Sequence, residues 1–289
     1  MISKEEKDEK NRVARLSVAA AVLITSAKLV VGFLTGSLGI LSEALHSLLD
    51  LMAAIITMIT IRISGKPADS DHHFGHGKFE NLSALIQTLL LLVTCGWIVY
   101  EAIHRLMGGH GVVEVNAWSF GVIMLSIFVD YNRSRSLRRV ARKYNSQALE
   151  ADALHFSTDI WSSAVVLAGL AFTKLGWLWA DALAALMVAL LVIWVSLQLG
   201  KRAIDALLDK TPDGSLEKIK ATLDQVKGLR YYHDIRIRTA GADTFIDLNI
   251  HVDKHMTVKE AHDITEEIEA RIQEVIPRST VHVHQEPCE

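Results

Sequence analysis

Cysteine and proline are scarce in this chain, with two cysteines and four prolines in 289 residues. Cys95 lies in an apolar run, Cys288 stands beside the last residue, and neither has a Cys-x-x-Cys partner, so a disulfide framework is excluded. A net charge of −3 leaves no surplus of positive charge for a nucleic-acid surface. Walker A, His-Glu-x-x-His and Gly-x-Ser-x-Gly stretches are all missing. Neither nucleotide hydrolysis nor intramembrane proteolysis finds support, and the chain is expected not to be an enzyme. The first fifteen residues mix acids and bases, unlike the basic n-region and short apolar h-region of a cleaved signal peptide.

Apolar residues are abundant instead, at half of the chain. Six segments carry the roughly 20 mostly apolar residues that a membrane-crossing helix needs. They run from about Val13 to Thr35, Leu38 to Ile63, Leu82 to Leu106, Ala117 to Asn132, Ala148 to Phe172 and Trp177 to Gly200. The first is interrupted by Lys28 and ends at the turn-like Thr35-Gly36-Ser37. Lys and Arg collect in alternate loops: Arg62, Lys66 and Lys78, then Arg133 to Lys143, then Lys201 and Arg202. The opposite loops hold little beyond Arg105 and Lys174. Basic loops stay inside, which predicts a multi-pass protein of the inner (plasma) membrane of a bacterium with both termini cytoplasmic. Such clusters reflect topology or contact with anionic membrane lipids rather than nucleic acid.

Glu43-Ala-Leu-His-Ser-Leu-Leu-Asp50 in the second span returns as Asp152-Ala-Leu-His-Phe-Ser-Thr-Asp159 in the fifth. Residues four apart share a helix face, so His46 lies with Asp50 and His155 with Asp159. Ionisable groups at membrane depth normally face a partner or a water-filled cavity. Two imidazoles and two carboxylates suit Zn²⁺, and also Co²⁺, Fe²⁺, Ni²⁺ or Cd²⁺, whereas Ca²⁺ and Mg²⁺ prefer all-oxygen shells. The bland reading is a pair of unrelated helices with buried polar residues, and two matched pairs favour metal. Glu43 and Asp152 are read as supporting or vestibule groups. The middle position of each copy within a three-span half hints at an internal repeat. Both copies are read as running inward, so the repeat is expected to be parallel rather than inverted. Because imidazole must be deprotonated to bind metal, a site that takes either metal or protons fits a proton-coupled exchanger.

Two further clusters draw attention. The loop Pro67-Ala-Asp-Ser-Asp-His-His-Phe-Gly-His76-Gly-Lys78 offers Asp69, His72 and His76, with Asp71 and His73 to spare, in a bend favoured by Gly75 and Gly77. From about Asp205 the sequence takes on soluble character. Helix signals over Ser215 to Val226 and Thr257 to Ile276 alternate with strand signals over Tyr232 to Thr239, Thr244 to Val252 and Thr280 to His284. Thr257 is a plausible N-cap and Pro277 a stop. The fold class is therefore an α-helical polytopic membrane protein, with a six-span domain over residues 1–204 and an αββαβ domain over 205–289. The latter, about 80 residues, is easier to stabilise as a dimer. It carries His233, His251, His262, His282, His284 and Glu286, a candidate metal-sensing interface.

These motifs together resemble the cation diffusion facilitators. The likeness rests on the paired motifs, on Pro-Ala-Asp…His-x-Phe-Gly-His-Gly-Lys and on the ending His-x-His-Gln-Glu-Pro-Cys, and it covers almost the whole chain. It implies a homodimeric divalent-metal/proton antiporter with a ferredoxin-like, metallochaperone-type cytoplasmic domain. It implies Zn²⁺ as substrate and as structural or regulatory ion, with no organic cofactor. Under it, His46, Asp50, His155 and Asp159 form the transport site and Asp69, His72 and His76 a loop site. His233, His262, His284 and Glu286 match a binuclear cytoplasmic site. His46 replaces the Asp typical of the iron/zinc branch, which leans the reading towards Zn²⁺. Asn249 stands where some relatives have a ligating His, and His251 is the available substitute. Lys78 and Asp209 fit a charge interlock across the dimer. The rival reading is a metal-responsive membrane sensor or scaffold. A metal-dependent membrane enzyme ranks third, since four protein ligands leave no open coordination position.

Overall fold

The computed structural model describes residues 3–35, 38–107, 117–174 and 180–288. The turn at Gly36-Ser37, the Glu43, Arg105 and Lys174 side chains and the expected start of the sixth span at Trp177 lie outside what is described. Six long helices come first: α1 (Lys4–Thr35), α2 (Leu38–Ser64), α3 (Lys78–Leu106), α4 (Ala117–Tyr144), α5 (Gln147–Lys174) and α6 (Ala180–Leu207). A small domain follows, with α7 (Ser215–Leu223), β1 (Tyr231–Ala240), β2 (Asp243–Val252), α8 (Val258–Val275) and β3 (Ser279–Pro287).

All six expected spans are helices, and α1, α3, α4 and α6 run past their apolar cores, α1 and α4 the furthest. α1 starts at Lys4 rather than Val13, and α4 continues to Tyr144 rather than stopping near Asn132. The added turns are rich in Glu, Lys and Arg, which favour helix in water as much as at an interface. A membrane boundary ends the apolar run, not the backbone hydrogen bonding. α4 stops only at Asn145, whose left-handed φ of 49° caps it while Ser146 N–H bonds the Ala141 carbonyl (3.0 Å).

Among the described residues, Lys4–Leu34, Ala44–Ser64, Lys78–His104 and Leu186–Leu207 are long and apolar enough to cross a membrane. α4 and α5 are 28 residues each. α4 ends in an arginine-rich stretch and α5 carries Asp152, His155 and Asp159. At 1.5 Å per residue each still reaches roughly 42 Å, beyond the ~30 Å hydrocarbon core. Leu23, Phe33, Leu89, Trp97, Phe128 and Trp194 point outward, a surface suited to lipid rather than water. Inside, α1, α2, α4 and α5 meet over Ala21, Ala54, Ala141, Ala148 and Ala153, small residues that let helix backbones approach closely.

In the small domain the sheet order is β1-β2-β3, with β1 and β2 antiparallel and β3 parallel to β2. Gly241 sits in the hairpin turn at φ 63°. Thr257 caps α8 through a full capping box with Glu260, as its position anticipates. Ile246, Leu248 and Ile250 of β2 pack with Ile219, Ile268 and Ile272 of the two helices. Alternation along the strands then sends His233, Asn249, His251, His284 and Glu286 to the helix-free face. That inversion of faces is what assembles the domain's histidines.

The two parts dock through the loop before α3. Gly77 lies directly against Ala240 and Gly241, and a Cβ there would collide with the Ala240 carbonyl. Phe74 meets Phe245 edge-on at 5.2 Å, and Arg238 stacks on Phe74 at 3.9 Å. Lys78 Nζ donates to Asp209 Oδ1 at 2.8 Å, which brings together the two residues of the expected charge interlock at the hinge between the two parts. Gly77→Ala is expected to loosen the docking by about 1–3 kcal/mol, as overpacked contacts do, with faster limited proteolysis at residues 205–214. Unchanged cleavage would refute this.

Candidate metal centres

The motif copies on α2 and α5 do come together, but they run antiparallel. His155 Nε2 lies 2.9 Å from Asp50 Oδ1, and His46 Nε2 lies 3.7 Å from Asp159 Oδ1. The first residue of one pair thus faces the last of the other. This corrects the parallel expectation: two helices intervene between α2 and α5, and each connection reverses direction, so the second and fifth spans must oppose. The intrahelical distances complete a ring, with His46 to Asp50 at 3.9 Å and His155 to Asp159 at 3.8 Å. A tetrahedral ion with bonds of about 2.1 Å holds its donors roughly 3.4 Å apart. The four observed edges lie around that value. Asp50, His155 and Asp159 are largely buried, and His46 is 39% exposed, so the ring opens on the His46 side.

A cavity of about 120 Å³ adjoins the ring and is lined in part by Lys28, Ser126, Asp130, Arg133 and Ser162. Arg133 is pinned there: it pairs with Asp130 (3.2 Å), donates to Ser17 Oγ (3.1 Å) and stacks on Phe156 (3.5 Å). Lys28 donates to Ser47 Oγ at 2.8 Å. Asp152, entirely buried, accepts from Ser17 at 3.4 Å, while its Oδ1 has no hydrogen-bond partner. Asp152 thus stands behind the ring rather than in it. Asp130 escaped the sequence reading and Arg133 was read as a basic loop residue, because both fall where the fourth apolar run fades. A lone acid three residues before a buried Arg on one helix was the available signal.

The loop cluster also forms. Asp69 Oδ1 lies 3.3 Å from His72 Nδ1, and Asp69 Oδ2 lies 3.3 Å from His76 Nε2. The two rings are 4.4 Å apart in a bent segment, as the glycines imply, with Gly75 at φ 76°. Backbone N–H groups of His72 and Asp71 donate to Asp69, and the His72 bond chiefly holds its carboxyl below the ordinary value. Asp69 therefore stays an acceptor over a wider acid range than a free carboxylate. Asp71 and His73 take no part in this cluster.

On the helix-free face of the sheet, His233, His251 and Glu286 converge. Glu286 Oε2 lies 3.2 Å from His251 Nε2 and 3.5 Å from His233 Nε2. A bulge after His233 sets it opposite Asn249, while His251 pairs with Glu286 across β2 and β3. Asn249 Nδ2 donates to Glu286 Oε1 (3.2 Å), so the amide orients the carboxylate and His251 supplies the nitrogen. His284 reaches the other oxygen of Glu286 at 3.8 Å, outside this trio. His262 projects from α8 beside Glu266 (3.5 Å), away from the trio, and His282 lies near Asp247 (3.9 Å). Two imidazoles and a carboxylate fit a transition metal held by this domain.

A buried charge network at the domain-proximal end of the bundle was not read from the sequence. Glu80 accepts from Lys10 (3.0 Å), from Ser64 (3.3 Å) and from Ser146. Lys10 also pairs with Glu6 (3.1 Å), and Glu6 with Arg278 of the small domain (2.6 Å). Glu80 stands in the first turn of α3, where an acid looks like ordinary dipole compensation. Its partners are distant in sequence and only folding reveals them.

Residues 14–208 match the cation efflux transmembrane domain, and residues 211–288 match the cation efflux protein cytoplasmic domain. The uncharacterized transporter MJ0449 of Methanocaldococcus jannaschii is 35% identical over 274 residues, covering 93% of this chain and 95% of its own. The cation-efflux pump FieF of Salmonella arizonae is 30% identical over 279 residues, covering 96% and 93%. Among solved structures, the putative zinc transporter CzrB is 28% identical over 27% of this chain and 99% of its own, with a TM-score of 0.26. Two domain matches that share out nearly the whole chain, and relatives similar along its length, agree with the paired motifs in α2 and α5. The chain belongs to the cation efflux family, the cation diffusion facilitators, membrane-embedded transporters of divalent metal cations.

Proposed function

We propose that this protein exports Zn²⁺ from the cytoplasm in exchange for protons. One observation carries the reading: four nitrogen and oxygen donors, two from each of two antiparallel helices, at distances close to the edges of a zinc tetrahedron. Cd²⁺, Co²⁺ and Fe²⁺ share the donor chemistry and would compete. His46 and His155 must be unprotonated to bind metal, so protons arriving from outside displace the ion and metal arriving from inside displaces protons. The proposed frame is a plasma-membrane protein with both termini cytoplasmic, residues 1–204 spanning and 205–289 forming the cytoplasmic domain. The chain works as a homodimer, and metal at His233, His251 and Glu286 stabilises the association of the cytoplasmic domains. Asp69, His72 and His76 would bind a second ion beside the hinge.

Proteoliposomes loaded with a zinc-sensitive dye test this. An imposed proton gradient of one pH unit, acid on the side opposite the metal, should accelerate Zn²⁺ flux several-fold, since it supplies about 1.4 kcal/mol per proton exchanged. Flux indifferent to the gradient would leave a uniporter and sink the antiport reading.

A further inference from the structure

We propose that the cytoplasm-proximal half of α4, with the facing turn of α5, binds the phosphate headgroup of an anionic phospholipid. Arg135, Arg138, Arg139 and Arg142 recur at the spacing of one helix face, and all four are exposed. Like charges three and four residues apart repel, so this stripe weakens the isolated helix unless an anion screens it. Among the described residues none of the four forms an ion pair within 4.0 Å, although Glu9 of α1 feels the charge of Arg139 at longer range, and Arg133, Lys143 and Arg202 nearby each have an acid. The stripe lines a groove between α4 and α5 that holds no carboxylate among its described residues. The neighbouring groove, between α4, α5 and α6, already contains Glu150 paired with Arg202 at 2.8 Å. Arg138 and Arg142 also line that second groove, so Arg135 and Arg139 are the two of the stripe that face only the groove without a described carboxylate.

Depth and shape favour a lipid over a soluble anion. On the same helix, Met124, Leu125 and Phe128 are exposed apolar residues, and Tyr131 follows them one turn before Arg135. Trp161 of α5, also exposed, lines the same groove as Tyr131. Tyr and Trp at the end of an apolar run mark the interfacial level, and the arginines begin immediately beyond it. A phospholipid would thus lay its acyl chains along Phe128 and its phosphate among the guanidinium groups. Arg138 is held in place by donating to Ser157 Oγ (2.9 Å), which leaves its remaining N–H groups for a forked phosphate contact. The positive-inside tendency requires basic residues on this side of the membrane, yet it does not require them on one face, beneath two aromatic rings and without acids. The inference depends on α4 crossing the membrane and not on the transported ion.

Native mass spectrometry of the full chain in detergent tests it, titrating phosphatidylglycerol, phosphatidylcholine or inorganic phosphate. Phosphatidylglycerol is expected to bind about 10-fold or more tighter than phosphatidylcholine, and Arg135→Gln/Arg139→Gln should remove that preference. Lys201→Gln/Arg202→Gln removes the same charge from α6 and should leave the preference intact. Equal binding of the two lipids, or equal loss in both variants, would overturn the proposal. So would inorganic phosphate at millimolar concentration saturating the site while phosphatidylglycerol fails to displace it, because that outcome assigns a soluble anion. Arg135 and Arg139 are exposed and unpaired, so the variant should melt with the wild type, and the lipid readout remains interpretable.

Discussion

Asp50→Ala and Asp159→Ala are each expected to reduce Zn²⁺ flux in proteoliposomes to the level of empty vesicles. Each carboxylate supplies one donor to a closed four-donor ring, and each also faces a histidine of the opposite helix. Changing groups that merely support a metal ligand costs about 10- to 100-fold in affinity, so deleting a ligand sets that as a lower bound. The loss should persist at saturating proton gradient, because the ion cannot be held midway. Asp130→Asn, which touches the cavity but not the ring, provides the contrast: flux should survive with an altered rate. If Asp50→Ala retained wild-type flux with normal expression, the α2–α5 ring would not be the transport site. A metal sensor with a static site predicts no protein-dependent flux in any version, the wild type included.

Glu80→Ala should be the most destabilising single change in the membrane domain. The Glu80 side chain is 4% exposed and Lys10 5%, and Glu80 also takes hydrogen bonds from Ser64 and Ser146. Removing one member of a buried ion pair strands the other, typically at about 3–5 kcal/mol. Glu6 remains to Lys10 at 3.1 Å, so the lower end of that range applies. Glu6 is already committed to Arg278, and strain on it would reach the small domain. The apparent melting temperature in detergent should fall by several degrees, and Lys10→Met in the same background should recover part of the loss. Equal melting of wild type and Glu80→Ala would show that the network contributes nothing. A melt lowered further by Lys10→Met would show that Lys10 acts through other contacts.

These two predictions differ in how they became visible. Asp50 and Asp159 stand out in the sequence because ionisable residues are costly inside apolar helices, and a repeated His-x-x-x-Asp has few structural uses. Glu80, Lys10 and Glu6 sit among other charged residues near helix ends, where a solvated position is the ordinary explanation. Their burial comes from three helices and the small domain closing over one point, which no local pattern encodes. The soluble domain repeats the contrast. Its αββαβ order, the Thr257 cap and the Gly241 turn follow from period and turn chemistry. The pairing of His251 with Glu286, rather than His262 or His284, follows from strand register and from a bulge after His233.

The chain by itself determined the number of long helices, the class of the small domain and the donor chemistry of the candidate metal sites, because these depend on residue type and on spacing within one element. The fold alone decided that α2 and α5 oppose, that His46 faces Asp159 and His155 faces Asp50, and that Lys78 reaches Asp209. It also gathered the α4 arginines along a groove that holds no carboxylate among its described residues. Contacts between elements depend on direction, register and the closing of distant surfaces, and those are properties of the packed molecule rather than of any stretch of sequence.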